Sequence, residues 1–283
     1  MSGEATFEDA APARRVEPSP ARPLVLVGAG KMGGALLEGW LAAGFDPRAL
    51  VVVEPSPDPE QAALTAPGLT VVAEPPRRPA HTLVLAVKPQ VMDEALSALG
   101  QAADERTLVV SIAAGITIAR LGEFASGPIV RAIPNTPAAI GEGMTAAVAA
   151  GASEADVAFA DRLLGAVGRV AWVEDEALID VATAVCGSGP AYVFHLAEAL
   201  ASAGAAEGLP PDVAAMLARQ TVVGAGALLG RSALDPATLR RNVTSPGGTT
   251  AAALCVLADT GALTELMTRA VHAATVRSRE LGR

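Results

Sequence analysis

Leu24-Val25-Leu26-Val27-Gly28-Ala29-Gly30-Lys31-Met32-Gly33 decides the fold. Four consecutive apolar residues run straight into a G-x-G-x-x-G motif, and an amphipathic helical pattern follows. An uninterrupted apolar strand of this length fits a parallel sheet covered on both faces, where no side of the strand meets water. The first glycine permits a tight turn, the second lets backbone approach a pyrophosphate, and the third lets helix and strand pack closely. Glu54 ends the next apolar run, 21 residues beyond Gly33, at the position from which a carboxylate reaches the adenosine ribose. Strand, motif, helix and acid together predict dinucleotide binding by Gly28, Ala29, Gly30, Lys31, Met32, Gly33 and Glu54.

Working outward, Val51–Val53, Leu69–Val72, Thr82–Val87 and Leu108–Ile112 read as further strands, separated by segments long enough for helical crossovers. Ile129–Ile133 and Thr145–Ala149 extend the sheet, Ser153–Val167 reads as a capped helix, and Val170–Val173 closes the domain. Beyond Glu174 the strand pattern gives way to Ala-, Leu- and Glu-rich helical texture, broken at Gly187–Pro190, Gly208–Pro211, Ser232–Pro236 and Ser245–Gly248. The expected organisation is a flexible extension over residues 1–22, an α/β doubly wound domain over 23–173 and an all-α domain over 174–283. Small residues such as Gly224, Ala225, Gly226 and Ala227 suit either an intertwined dimer or close packing within one chain.

The net charge of −9, from 21 basic and 30 acidic residues, disfavours a nucleic-acid partner. With 51% hydrophobic residues the chain buries a large core, and with only 8 aromatics that core rests on Ala, Val and Leu. Apolar stretches broken by Gly, Pro or charge predict no membrane span, and two isolated cysteines, Cys186 and Cys255, predict neither disulfide nor metal site. A cytoplasmic protein is expected, since no leader pattern precedes Leu24.

Lys88, in Ala86-Val87-Lys88-Pro89, ends a strand, as does Ala113-Ala114-Gly115. Open α/β sheets bind ligands at strand carboxyl ends, so both are expected beside the nicotinamide half of a cofactor. Lys31 and Lys88 are the only lysines in the chain. Glu54 favours NAD, whereas Ser56 with Arg77 and Arg78 nearby would suit a 2′-phosphate. The choice between NADH and NADPH stays open at this point. Thr244-Ser245-Pro246-Gly247-Gly248-Thr249-Thr250 precedes an apolar helical run and offers hydroxyls and N–H groups at a helix start, which suits a carboxylate ligand.

Taken together, Ala86–Gln90, Arg131-Ala132-Ile133-Pro134-Asn135-Thr136-Pro137, Gly187-Ser188-Gly189-Pro190-Ala191-Tyr192, Gln220-Thr221 and Thr244–Thr250 resemble pyrroline-5-carboxylate reductase. The resemblance runs from residue 23 to 283. It implies a Rossmann-type domain joined to a helical dimerisation domain, and NAD(P)H-dependent reduction of L-1-pyrroline-5-carboxylate to L-proline. It further implies an active site shared between subunits of a homodimer, with five dimers forming a decamer. By the same resemblance Ser245 and the backbone of Gly248 and Thr249 hold the substrate carboxylate. Thr250, the implied catalytic residue, hydrogen-bonds the ring nitrogen, and Asn242 borders the pocket. Ala29, Lys31, Met32, Ser56, Ala86, Val87, Lys88 and Ala114 match cofactor-contacting positions.

Two departures stand out. Cys186 replaces the family's usual Ser, and a frequent Asn contact to adenosine falls at Ala73 or Glu74. His81, His195 and His272 lack motif context and read as structural. A β-hydroxyacid dehydrogenase, the nearest enzymatic rival, needs a lysine in its helical domain, and none follows Lys88. A non-catalytic redox sensor would need the glycine loop without the carboxylate loop.

Overall fold

The computed structural model describes residues 15–56, 66–258 and 261–282. They form two compact units, one reaching Gly187 and rejoined by the residues from Arg277 on, the other Ser188–Val276.

The first unit is built on one sheet. Its strands are β1 (Leu24–Val27), β2 (Leu50–Val53), β3 (Thr70–Val72), β4 (Thr82–Leu85), β5 (Leu108–Ser111), β6 (Ile129–Ile133), β7 (Gly143–Ala150) and β8 (Gly168–Trp172). They lie in the order β3-β2-β1-β4-β5-β6-β7-β8, every neighbouring pair parallel except β6 with β7, so that β7 and β8 run opposite to the other strands. The order reverses between β1 and β4, which places a crevice at their carboxyl ends. Helices α1 (Lys31–Ala42), α2 (Met92–Leu99), α3 (Ile118–Gly122) and α4 (Glu154–Gly165) accompany the strands, and α5 (Ala177–Ala182) follows β8.

Successive strand side chains alternate between two cores. Leu24 and Leu26 join Trp40 of α1 and Leu163 of α4, while Val25 and Val27 join Met92, Leu96 and Leu99 of α2. The indole Nε1 of Trp40 donates to the Leu163 carbonyl at 2.9 Å, tying α1 to α4 through a buried bond. Helix α4 starts with a capping box: Asp156 N–H donates to Ser153 Oγ at 3.2 Å and Ser153 N–H to Asp156 Oδ2 at 2.9 Å.

Residues 15–22 were expected to be a flexible tail, yet Arg15 pairs with Asp156, its Nη2 donates to the His81 carbonyl at 3.0 Å, and Arg162 donates to Glu17. Asp156 and His81, which take Arg15, are both buried; residues 1–14 lie outside the described residues. The first unit also extends past residue 173, because Ile179 of α5 is fully buried against Ile133, Ala146 and Val148. Lastly, the helical stretch Ala177–Ala206 and the helix Pro211–Arg231 are long and apolar enough to cross a membrane. This corrects the expectation that Gly, Pro and charge break every apolar stretch: Gly204, Gly224, Gly226 and Gly230 lie within helix, and the π-turn Thr183–Gly187 carries the chain from Ala182 towards Gly189.

The second unit is all helical: α6 (Gly189–Ala206), α7 (Pro211–Arg231), α8 (Pro236–Asn242), α9 (Thr249–Ala258) and α10 (Ala262–Leu281), whose last turns belong to the first unit. Helices α6 and α7 meet where Gly204 faces Leu209 and Ala214. A Cβ on Gly224 or Gly226 would meet nothing within 4 Å among the described residues, so these glycines do not serve packing against them. Phe194, Leu196, Met216 and Val223 are left exposed.

Candidate active site

Strand register brings the cofactor residues of the first unit to one edge. Val27 pairs with Val53 and with Leu85, and Leu85 pairs with Ser111, so Gly28, Glu54, Ala86 and Ile112 all follow at the same level. Gly28 takes φ +90°, and a Cβ there would lie 2.9 Å from Val87 Cγ1. A Cβ on Gly33 would stand 2.1 Å from the Gly28 carbonyl oxygen, whereas one on Gly30 would meet no atom of the other described residues within 4 Å. The glycine loop is thus closed towards the sheet and open on the side that would receive a pyrophosphate. The first intrahelical bond of α1 runs from Gly34 N–H to Gly30 O at 2.7 Å, so the N–H groups of Lys31, Met32 and Gly33 have no partner within the helix.

Glu54 lies against this loop. Its Oε2 accepts from Ala29 N–H at 2.9 Å and its Oε1 from Ser56 N–H at 3.3 Å. Beside it is a cavity of about 300 Å³ lined by Gly28, Glu54, Ser56, Ala73, Val87 and Glu94. The sequence reading passed over Glu94; its only signal was an acid in the first turn of the helix after Ala86–Pro89. Lys88 is exposed, and so is Ala114 on the loop after β5. The next residue, Gly115 (φ +77°), faces the Leu281 carbonyl of α10, where a Cβ would come within 2.8 Å. These residues fit a dinucleotide: Lys31, Met32 and Gly33 would hold its phosphates, Glu54 its adenosine ribose, and Ala86, Val87, Lys88 and Ala114 its nicotinamide half.

Asn135 braces the same unit from the carboxyl end of β6. It is buried, donates from Nδ2 to the Cys186 carbonyl at 3.0 Å and accepts Met144 N–H at 2.8 Å. The Cys186 thiol is pushed up by burial, which leaves it a packing group. His81 is buried edge-on to Phe159, 4.8 Å between ring centres, with Nε2 2.5 Å from the Val16 carbonyl and Nδ1 2.9 Å from the Thr82 hydroxyl. Burial, with Arg15 nearby, lowers its pKa to about 4, so at neutral pH it is an uncharged core residue. His195 is exposed on α6 beside Glu198.

In the second unit, α8 starts on Asp235, whose Oδ1 accepts Thr238 N–H at 3.0 Å, and ends at Asn242. Thr244 folds back on it, donating from Oγ1 to Arg240 O at 2.6 Å. Gly247 adopts φ +70°, Gly248 N–H closes a turn onto Ser245 O at 3.1 Å, and α9 starts at Thr249. A Cβ on Gly248 would lie 2.5 Å from Ser245 Oγ, so glycine is what lets that hydroxyl sit over the loop. The first α9 bond is Ala252 N–H to Gly248 O, leaving Thr249, Thr250 and Ala251 N–H without helical partners. Ser245, Gly248, Thr249 and Thr250 therefore share one helix start, with Asn242 at the end of the preceding helix. The Gly248 N–H is used within the turn. An open groove of about 990 Å³ runs alongside, lined by Arg240, Arg241, Thr244, Leu254 and Cys255.

A doubly wound sheet with a glycine loop, joined to a helical unit with an anion-ready helix start, defines a dinucleotide-dependent oxidoreductase. The family model described as pyrroline-5-carboxylate reductase dimerisation matches residues 176–281, and the one described as NADP oxidoreductase, coenzyme F420-dependent, matches residues 23–115. The pyrroline-5-carboxylate reductase of Pseudomonas aeruginosa is 41% identical over 91% of this chain and 96% of its own. That of Pisum sativum is 38% identical over 91% and 95%. A solved pyrroline-5-carboxylate reductase from Coxiella burnetii is 34% identical, covers 93% of this chain and 99% of its own, and superposes with a TM-score of 0.85. The Plasmodium falciparum enzyme with NADP bound is 28% identical, with coverage of 94% and 100% and a TM-score of 0.74.

The chain belongs to the pyrroline-5-carboxylate reductase family. Membership makes it an NAD(P)H-dependent oxidoreductase that reduces L-1-pyrroline-5-carboxylate to L-proline, and its helical unit is a dimerisation domain.

Proposed function

We propose that the helix start at Thr249 is the substrate site and that two subunits of a homodimer complete each active centre. The observation that carries this reading is the convergence of Ser245 Oγ, the glycine turn and the unpaired N–H groups of α9 at one point. A carboxylate placed there accepts from the Ser245 hydroxyl and from Thr249 and Thr250 N–H, in the field of the helix dipole. Gly248 contributes the missing side chain rather than its N–H. Thr250 Oγ then faces the ring nitrogen, and Asn242 closes the pocket edge.

The bound dinucleotide supplies hydride to the C=N carbon of the ring. This chain's own residues do the positioning: the α1 N–H groups fix the phosphates, Lys88 and Ala114 border the nicotinamide, and the carboxylate anchor orients the imine carbon. Thr250 holds the nitrogen, which gains a proton as the imine becomes an amine. The pairing of subunits is supported by the exposed apolar faces of α6 and α7, which a second copy would cover without lipid. On this reading the protein is a cytoplasmic enzyme with a small-molecule substrate, no nucleic-acid or membrane partner, and dimers that assemble further into decamers.

Loss of NADH or NADPH absorbance on adding L-1-pyrroline-5-carboxylate, with proline identified as product, is the assay. Ser245→Ala is expected to raise KM for this substrate at least about tenfold, as loss of a hydrogen bond to a charged group does, with dinucleotide affinity unchanged. An unaltered KM would remove the loop from substrate binding.

A further inference from the structure

We infer that this chain selects NADH over NADPH, and that Glu54, assisted by Glu94 across the same cavity, is what reads the adenosine ribose. The inference rests on the glycine loop being the dinucleotide site.

Glu54 is held in place from two sides, by Ala29 N–H at 2.9 Å and by Ser56 N–H at 3.3 Å. One bond comes from the glycine loop and the other from the turn after β2, so the carboxylate cannot swing aside without losing both. Each of its oxygens keeps a second lone pair. Those lone pairs accept from ribose hydroxyls, which carry protons to give. A 2′-phosphate has none to spare near neutral pH and brings about −1.5 to −2 charge against a fixed carboxylate. Glu94, from the first turn of α2, adds a second negative charge to the same wall.

The cations that would favour NADPH are placed elsewhere. Among the described residues lining this cavity there is no Lys, Arg or His. Arg77 lines the neighbouring cavity, beyond Pro75 and Ala98, and Arg78 donates to the Pro20 carbonyl at 2.8 Å. Arg48, near the start of β2, is paired with Asp46. The sequence from Glu54 to Gly68 contains no Lys or Arg, and includes Asp58 and Glu60. Among the described lining residues Ser56 carries the one hydroxyl, and its N–H is already given to Glu54. Ala73, on the same wall, offers no side-chain donor.

The test is equilibrium titration of the full-length protein with NADH and with NADPH, followed by nicotinamide fluorescence. Competition by 5′-AMP and by adenosine 2′,5′-bisphosphate then locates the preference. NADH is expected to bind at least about tenfold more tightly than NADPH, as one unfavourable charge contact suffices to give, with 5′-AMP the better competitor. Glu54→Gln should narrow the ratio several-fold and Glu94→Gln by less. The wild-type ratio needs no variant, so misfolding of one leaves the inference testable. Equal or tighter binding of NADPH would overturn it and turn attention to Arg77, and so would an NADH preference unchanged in both folded variants. If neither dinucleotide bound, the reading of the glycine loop itself would fall, an outcome distinct from a loss of selectivity.

Discussion

The α-carbon of Gly33 faces the Gly28 carbonyl so closely that a methyl group on it would stand 2.1 Å from that oxygen. Gly30, between them in sequence, has open space on the corresponding side. The two glycines therefore answer to different demands, one to the fold and one to the ligand. Gly33→Ala is expected to strain the strand-to-helix turn by about 1–3 kcal/mol, the usual cost of overpacking, and to lower the melting temperature. Gly30→Ala should melt like the wild type while losing dinucleotide affinity, because its methyl group points where a pyrophosphate would lie. Thermal melts combined with nucleotide titration separate the two; a normal melt for Gly33→Ala would refute the packing argument.

Thr250 should behave as a residue of the chemical step. Thr250→Ala is predicted to lower kcat by about tenfold or more, a modest share of what a positioned proton donor contributes, and to leave the dinucleotide dissociation constant unchanged. Steady-state kinetics at saturating L-1-pyrroline-5-carboxylate check this. A full rate would take Thr250 out of the mechanism.

If two subunits complete each centre, two crippled chains can rescue one another. Gly30→Ala protein, deficient in cofactor binding, and Ser245→Ala protein, deficient in substrate binding, are expected to recover activity when subunits are exchanged in a mixture. A random mixture of dimers yields one intact centre in each mixed dimer. Activity no greater than the sum of the separate proteins, with exchange verified by mass, would place both halves of the site on one chain.

His81 predicts a pH dependence of stability. Its folded pKa is about 4, below the ordinary 6.5, because burial and the nearby Arg15 guanidinium disfavour the imidazolium. The unfolded chain therefore binds the extra proton first. Stability from this group is complete above about pH 6.5 and is lost as pH falls towards about 4, by about 2 kcal/mol after allowance for partial solvent screening. Urea titrations across that window should show a shallower slope for His81→Phe, whose ring can pack against Phe159 without titrating. Identical slopes would mean another group governs the acid side.

What the sequence made legible was what repeats locally. The strands β1, β2, β4 and β5 are unbroken apolar runs, and the glycine motif between β1 and α1 states its own turn. The glycine turn before α9 was equally readable, because φ > 0 and close approach demand specific residues. Partners far apart in the chain were not. Nothing local marks Ile179 as the cap of a small core on β6 and β7, so α5 was assigned to the helical domain. Nothing near Arg15 announces Asp156. Glu94 looked like an ordinary first-turn acid until the sheet order brought α2 beside Glu54. The apolar helices α6 and α7 misled in another way, since their glycines read as interruptions when the helix continues through them.

The return of α10 to the first unit has a consequence for biosynthesis. The residues from Arg277 on belong with the sheet, where the Leu281 carbonyl faces Gly115 and Ser278 Oγ donates to Asp180 at 2.6 Å. Ser188–Val276 is in effect a long excursion between two parts of one folding unit. On the ribosome, the nucleotide-binding unit stays incomplete until the whole of Ser188–Val276 and the turns after it have emerged, so its loop after β5 is seated only once the helical excursion has been made.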